Sequence, residues 1–121
     1  MILIKKDIKI DDELLTKIEY LNYMKISNLF IINEILKKRS KYEYNKDLLD
    51  YYLEKYNKID LEFMLTTKEI VKSIDERIIN INYYVEYDFN NRLINIYKQE
   101  ETDGKKRNRT IPRVSCKNYR Q

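Results

Sequence analysis

A stretch of alternating apolar and polar residues near position 90 restricts the fold of this chain more than any other part of the sequence. Between residues 81 and 97 the apolar residues recur with a period of two on both sides of Asn90-Asn91. Asparagine tolerates the left-handed conformation of a tight turn, so we predict a two-residue turn and a β-hairpin here. The predicted pairs are Tyr87 with Ile94, Val85 with Ile96, Glu86 with Asn95 and Asp88 with Leu93. One face is then apolar (Tyr83, Val85, Tyr87, Phe89, Ile94, Ile96), and a one-residue slip would destroy that face.

Apolar residues at helical spacing predict helices in front of the hairpin. Asp11 or Asp12 can cap a first helix, whose apolar positions are Leu14, Leu15, Ile18 and Leu21. The spacing loses phase at Lys25 and Asn28, and Ser27 offers a second cap. The apolar positions then resume at Leu29, Phe30, Ile32, Ile35 and Leu36. We therefore expect two helices or one kinked helix, after an extended lead-in or short edge strand within residues 1–10.

A further helix follows, and then a segment that fits two alternatives. Asn45 can cap a helix whose apolar face holds Leu48, Leu49, Tyr52, Leu53 and Tyr56. Residues 59–63 alternate with period two, which fits either a short strand or a continuation of that helix. Thr66 and Glu69 have the spacing of a capping box. This spacing predicts a last helix over residues 67–80, with Ile70, Val71, Ile74 and Ile78 inward.

The predicted fold class is α+β, with three or four helices packed on a C-terminal β-hairpin and a basic extended tail after it. Helices followed by a hairpin loosely resemble a winged helix-turn-helix, in which residues 67–80 would be the recognition helix and Asn90-Asn91 the wing tip. Two features weaken that resemblance: the predicted recognition helix has no net charge, and the connection before it is longer than the usual turn.

Charge and composition both change near residue 102. The single Gly104 and the single Pro112 lie beyond that point. Residues 103–121 hold seven cations and one anion, a net +6, whereas the remaining 17 cations and 19 anions give −2. We therefore predict one compact domain over residues 1–102 and a basic C-terminal arm over residues 103–121.

The residue types that are missing exclude most common catalytic chemistry. The chain has no His and one Cys, so it lacks histidine-based proton transfer and cannot assemble a zinc site from four nitrogen or sulfur ligands. A lone glycine cannot form a phosphate-binding loop. The densest carboxylate clusters are residues 11–13 and 100–103, and adjacent acids are more often helix caps than catalysts. We expect no enzyme activity, no cofactor and no metal, and keep a carboxylate-metal enzyme as a distant alternative.

Cysteine usage and coding bias bear on where the protein functions. One cysteine cannot form an internal disulfide, which fits a reducing compartment. The first residues reverse the order of a secretory signal, and no apolar run approaches the roughly 20 residues of a membrane-spanning helix. We expect an intracellular, cytoplasmic protein with no membrane contact.

Abundant Ile, Lys, Asn and Tyr suggest an AT-rich coding sequence, and hence a virus, a mobile element such as a plasmid, or a low-GC microbe.

The basic arm gives the leading functional hypothesis, a non-enzymatic nucleic-acid-binding accessory or regulatory protein. Clustered Lys and Arg attract phosphates and release counterions from nucleic acid. The predicted contacts are Lys105, Lys106, Arg107, Arg109, Arg113, Lys117 and Arg120. A possible second contact consists of Lys37, Lys38, Arg39, Lys41, Asn90, Asn91 and Arg92. The alternative is a protein-interaction module, an inhibitor or assembly component, whose arm docks on an acidic protein surface. The choice between DNA and RNA, and the oligomeric state, stay open.

Overall fold

The computed structural model describes residues 2–38 and 45–99, together with the main chain of residues 113–117. The elements are strand β1 (Ile2–Ile8), helix α1 (Asp12–Lys37), helix α2 (Lys46–Ile74), a 3₁₀ helix (Glu76–Asn80), and strands β2 (Tyr83–Asp88), β3 (Leu93–Lys98) and β4 (Arg113–Lys117). The predicted α+β class is confirmed. The chain divides into two compact units: a sheet unit (Met1–Thr16 and Met64–Gln121) and a helical unit (Lys17–Phe63).

The β2–β3 hairpin of the sheet unit has the predicted register. All four predicted pairs, from Val85 with Ile96 to Asp88 with Leu93, are present, and the six apolar residues of the predicted inner face are buried. The turn is wider than the two residues predicted and spans residues 89–92. The Asp88 carboxylate accepts bonds from the main-chain N–H of Asn91 at 3.2 Å and from its side-chain amide at 2.9 Å. These bonds hold the four-residue turn, in which Arg92 takes a left-handed φ of 58°.

The predicted N-terminal strand is confirmed as β1, which pairs antiparallel with β3 at one edge of the sheet. Its register shifts between Leu3 and Lys5 and again between Lys5 and Ile8. Asp7 lies in the second irregularity with a φ of 53°, and its main-chain N–H donates to Asn95 Oδ1 at 2.7 Å. Bulges of this kind bend an edge strand and discourage another strand from pairing with it.

The other edge of the sheet is β4, which lies parallel to β2 and gives the strand order β1-β3-β2-β4. The sequence predicted an extended tail but no strand there. The main chain of residues 113–117 instead pairs with that of β2 from Tyr84 to Asp88.

Of the two alternatives left open here, two helices or one kinked helix, the structure has a single helix, α1, and the predicted cap at Ser27 is wrong. The polar residues that interrupt the apolar pattern belong to its packed face. Lys25 forms an ion pair with Asp60 at 2.8 Å, and its ammonium lies 4.4 Å from the centre of the Phe63 ring. Asn28 is buried and donates its amide to the Met24 carbonyl at 2.9 Å. Because both side chains find partners, the helix continues without a break.

Helix α2 begins as predicted, since Asn45 Oδ1 accepts the main-chain N–H of Leu48 at 2.9 Å. Of the two readings left open for residues 59–63, the helix continuation is correct. Phe63 is buried while Leu61 is exposed, a difference that follows the helical period. The capping box at Thr66 is wrong, because Thr66 and Thr67 are buried inside α2.

The predicted helix over residues 67–80 is also wrong in its limits. Helix α2 ends at Ile74, where Asp75 adopts extended backbone angles (φ −160°, ψ 105°) and caps the short 3₁₀ helix. The described part of the chain therefore holds two long helices and one short one in place of three or four. It contains no separate recognition helix, and the winged-helix resemblance is not supported.

The buried apolar residues are divided between the two units. Those of the sheet unit are Leu15, Ile70, Val71, Ile78, Tyr83, Val85, Tyr87, Phe89, Ile94 and Ile96. Those of the helical unit are Ile18, Leu21, Ile32, Ile35, Leu49 and Phe63. Five residues predicted on apolar helix faces are exposed instead: Leu14, Leu29, Phe30, Leu48 and Leu53. The helices carry more apolar residues than one packed face can bury.

Candidate nucleic-acid interface

The predicted arm contacts fall mostly outside the described residues. Lys105, Lys106, Arg107, Arg109 and Arg120 all lie there. Arg113 and Lys117 are the first and last residues of β4, where only the main chain is described. In the ladder with β2, Arg113 takes the register position opposite Tyr84, and Lys117 the position opposite Asp88. Two of the seven arm cations are therefore attached to the edge of the sheet.

The basic part of the predicted second contact lies at the end of α1, in the helical unit. Lys37 Nζ forms an ion pair with Glu34 Oε2 at 3.0 Å, and Lys38 follows the helix on an exposed turn. Arg39 and Lys41 lie outside the described residues. A cation in the last turn of a helix is favoured by the helix dipole, so the position of Lys37 has a purely structural explanation.

The hairpin part of the predicted second contact lies in the sheet unit. Arg92 is engaged with the start of α1: its guanidinium donates to Asp12 Oδ1 at 3.1 and 3.3 Å and to Thr16 Oγ1 at 3.3 Å. Asn91 is bound to Asp88, as described above, and Asn90 is exposed at the tip. These contacts join the turn to α1. They also give Asp12, a member of one carboxylate cluster, a structural role.

A polar cluster on β2 and β3, on the sheet face opposite the buried one, was not predicted as a site. Asn95 donates its amide to Glu86 Oε1 at 3.0 Å, and the Tyr97 hydroxyl donates to the same oxygen at 3.4 Å. The rings of Tyr84 and Tyr97 meet edge to face, with centroids 5.8 Å apart. Burial, followed by the neighbouring Glu86 carboxylate, raises the pKa of Tyr97 above its usual value. The signal in the sequence was the second face of the hairpin, which carries these residues at alternate positions.

Strand β4 places part of the arm beside this cluster. Tyr84 and Glu86 pair with Arg113 and Ser115, so the arm's main chain runs directly beside the Tyr84–Glu86 part of β2. The half-buried Tyr84–Tyr97 pair, together with Glu86 and Asn95, thus lies beside a strand that begins with a cationic residue, Arg113. This combination of residue types can stack a base, accept and donate hydrogen bonds at a base edge, and hold a phosphate.

Outside the arm, many cations are matched by acids. Eight ion pairs occur among the described side chains. One of these ion pairs is bidentate: the Arg77 guanidinium donates to both carboxylate oxygens of Asp75, at 3.0 and 3.1 Å. These hydrogen bonds lower the pKa of Asp75 below its usual value, with a smaller contribution from Lys5. Internal pairing of this kind reduces what the described cations can offer to a phosphate backbone.

No family model, curated protein or solved structure matches this chain. Over the described ranges, no group of three or more carboxylates or cysteines is placed to hold a metal ion. Of the second carboxylate cluster, Glu100, Glu101 and Asp103 lie outside those ranges. Within the described part of the chain, neither α1 nor α2 contains a stretch apolar enough to cross a lipid bilayer.

Proposed function

We propose that this chain is a non-enzymatic nucleic-acid-binding accessory protein whose arm, residues 103–121, contacts phosphates with little sequence preference. The observation that carries the proposal is the charge distribution. The arm has a net charge of +6 and the rest of the chain −2. Four of the seven arm cations are arginines, which can form two parallel hydrogen bonds to one phosphate.

The internal ion pairs support the arm as the contact. Lys17, Lys25 and Lys58 are matched with acids of the helical unit, and Arg77 and Arg92 with acids of the sheet unit. A phosphate would have to displace those acids, whereas the arm holds a single anion among its seven cations. The tyrosine pair beside β4 offers a stacking surface for a base from the same strand, which favours single-stranded nucleic acid over a duplex.

The test is the salt dependence of binding, measured by fluorescence anisotropy with a labelled single strand of DNA, one of RNA, and a duplex. Five arm cations that flank β4 are changed to Gln together: Lys105, Lys106, Arg107, Arg109 and Arg120. The matched control changes five cations of the sheet unit that form no ion pair among the described residues: Lys6, Lys9, Lys68, Lys72 and Lys98. Both variants lose the same charge.

Each phosphate contact that is lost should flatten the plot of log affinity against log salt by about 0.7 for single strands and about 0.9 for duplex DNA. We expect the arm variant to lose most of the slope and the control to keep it. Equal slopes for the wild type and the arm variant would refute the proposal. A loss confined to the control would place the contact on the part of the sheet unit outside the arm.

A second candidate is a protein-interaction module whose arm docks on an acidic surface. It is favoured by the position of β4, because Glu86 and Asp88 of β2 take the register positions opposite Ser115 and Lys117. An acidic strand in another protein would offer the arm a similar edge. Pull-down with and without nuclease separates the candidates, since a protein partner survives nuclease treatment and a nucleic-acid tether does not.

A further inference from the structure

Helix α1 has a second apolar face, on the side opposite its packed residues. Tyr20, Tyr23, Ile26 and Phe30 are 59%, 63%, 54% and 64% exposed. Their spacings of three, three and four residues place them along one side of a helix. Buried residues Ile18, Leu21, Ile32 and Ile35 follow the other side. We call the four exposed residues the α1 stripe; all of them belong to the helical unit.

The α1 stripe is large enough to form the centre of a protein interface. With roughly 200 Å² for a whole aromatic side chain, its four residues expose on the order of 500 Å². That is near the upper end for the largest apolar patch of a typical monomer, about 300–600 Å². A stable interface covers about 800 Å² on each partner, so the stripe and a polar rim would suffice.

A cleft lies at the C-terminal end of the stripe. It has a volume of about 180 Å³ and is lined by Phe30, Ile31, Glu34, Ile35, Lys38, Asn45 and Leu48. A benzene-sized ring fits a cavity of roughly 150 Å³, so a tyrosine ring can enter this cleft. The stripe therefore has a projecting ring at one end, Tyr20, and a receptor for a ring at the other.

We propose that the α1 stripe binds a second copy of this chain, with the two α1 helices antiparallel about a two-fold axis between Ile26 and Ser27. An isologous interface requires a surface that complements itself. The proposed axis brings Tyr20 of each copy to the cleft beside Phe30 of the other, and Phe30 beside Tyr23. The same two contacts form twice.

The charges on α1 favour the antiparallel arrangement. The first turn is acidic, with Asp12 and Glu13, and the last turn contains Lys37. Antiparallel helices place the acidic start of one near the basic end of the other. Glu34 forms an ion pair with Lys37 at 3.0 Å within the helical unit, and Lys38, which lines the cleft, leaves this end of α1 with a net positive charge.

The proposal is tested by measuring the association state of the full chain. We use sedimentation velocity from 1 to 200 µM after nuclease treatment. We compare Phe30→Lys and Tyr20→Lys with Leu61→Lys, a control at a 60% exposed apolar residue of α2 in the same unit. We expect a dimer for the wild type and the control, and at least tenfold weaker dimerisation for the two stripe variants, with unchanged circular dichroism. A wild type that stays monomeric, or a dimer that Phe30→Lys leaves intact, would overturn the proposal.

Cross-linking tests the orientation. In a Cys116→Ser background, chains with Tyr20→Cys and chains with Asn33→Cys should form a mixed disulfide, because the proposed axis relates positions 20 and 33. Each variant alone should cross-link poorly, whereas a parallel pair would give the reverse result and would refute the antiparallel arrangement. A monomer that uses the stripe to capture a different protein would also refute it. Dimerisation does not depend on the arm, so the five-cation arm variant should still dimerise.

Discussion

The sheet unit and the helical unit distribute their apolar residues differently. On the β2–β3 hairpin, all six apolar residues of the predicted inner face are buried, and Val85, Tyr87 and Ile94 are completely so. On α1, large apolar side chains occupy two opposite faces, and Tyr23 and Phe30 on the outer face are more than 60% exposed.

This difference has a simple physical cause. A strand has only two sides, so one alternating pattern places its apolar residues on one side and its polar residues on the other. A helix with apolar residues on opposite sides needs neighbours on both. The apolar residues of β2 and β3 are thus covered within the chain, whereas those of α1 leave a surface for a partner.

The largest expected difference between the units is in the cost of removing apolar side chains. Ile94→Ala, at a fully buried residue of β3, should lower the free energy of unfolding by about 2–5 kcal/mol. Leu61→Ala, at an exposed residue of α2, should change it by less than about 0.5 kcal/mol. Urea unfolding followed by circular dichroism measures both. Similar losses would mean that Leu61 is covered in solution and that the comparison is wrong.

A buried hydroxyl pair sharpens the description of the sheet unit. Thr67 Oγ1 and the Tyr87 hydroxyl lie 2.7 Å apart in the interior, joined by a hydrogen bond. Thr67→Val or Tyr87→Phe alone should cost about 1–3 kcal/mol, because each removes one of the two hydroxyls of a buried hydrogen bond. The double variant should cost less than the sum of the two single variants. Strict additivity in a double-mutant cycle would show that the two hydroxyls are not coupled.

In the helical unit, a half-buried cation should matter more than an exposed one. Lys25 is paired with Asp60 at 2.8 Å and lies over the Phe63 ring, whereas Lys58 reaches Glu54 only at 4.0 Å with both side chains exposed. We expect Lys25→Gln to cost about 1–2 kcal/mol and Lys58→Gln about 0–0.5 kcal/mol. Thermal unfolding of the two matched variants measures the difference. An equal shift in Tm would contradict the role of Lys25.

The smallest expected effect is a pH dependence at Asp75 of the sheet unit. Hydrogen bonds from Arg77 lower the pKa of Asp75 in the folded chain. A lowered pKa stabilises the fold above the ordinary carboxyl pKa, and this contribution is lost as the pH falls through the folded-state value. Asp75→Asn should therefore be less stable than the wild type near pH 7, with the difference shrinking toward pH 3. A difference that is independent of pH would assign the effect to the lost cap alone.

The sequence predicted the hairpin better than the helices, and the reason lies in particular residues. The pairing of Val85 with Ile96 follows from alternation about one turn, and a shift by one residue is costly. The limits of the helices depend on tertiary partners. Lys25 and Asn28 suggested a break because nothing in the sequence reveals that Asp60 and Phe63 hold Lys25 in place. The spacing of Thr66 and Glu69 suggested a cap. The burial of Thr66 inside α2 is a tertiary property, which local spacing does not reveal.

The candidate site was predictable only in part. Net charge locates the arm, since composition alone gives its +6. The position of β4 beside β2 depends on pairing between distant residues, which local patterns do not encode. The same holds for the bond from Arg92 to Asp12, which spans 80 residues. The cluster of Glu86, Asn95 and Tyr97 was visible as a polar hairpin face, but its hydrogen bonds were not.

The two outer strands of the sheet come from distant parts of the sequence, β1 from residues 2–8 and β4 from residues 113–117. During synthesis on the ribosome, β1 emerges long before its partner β3, whereas the contacts of residues 17–63 are available early. The helices can therefore form first, and the sheet must wait for late-emerging segments. A product cut short before residue 113 would leave the edge of β2 uncovered, with unpaired main-chain groups that favour aggregation.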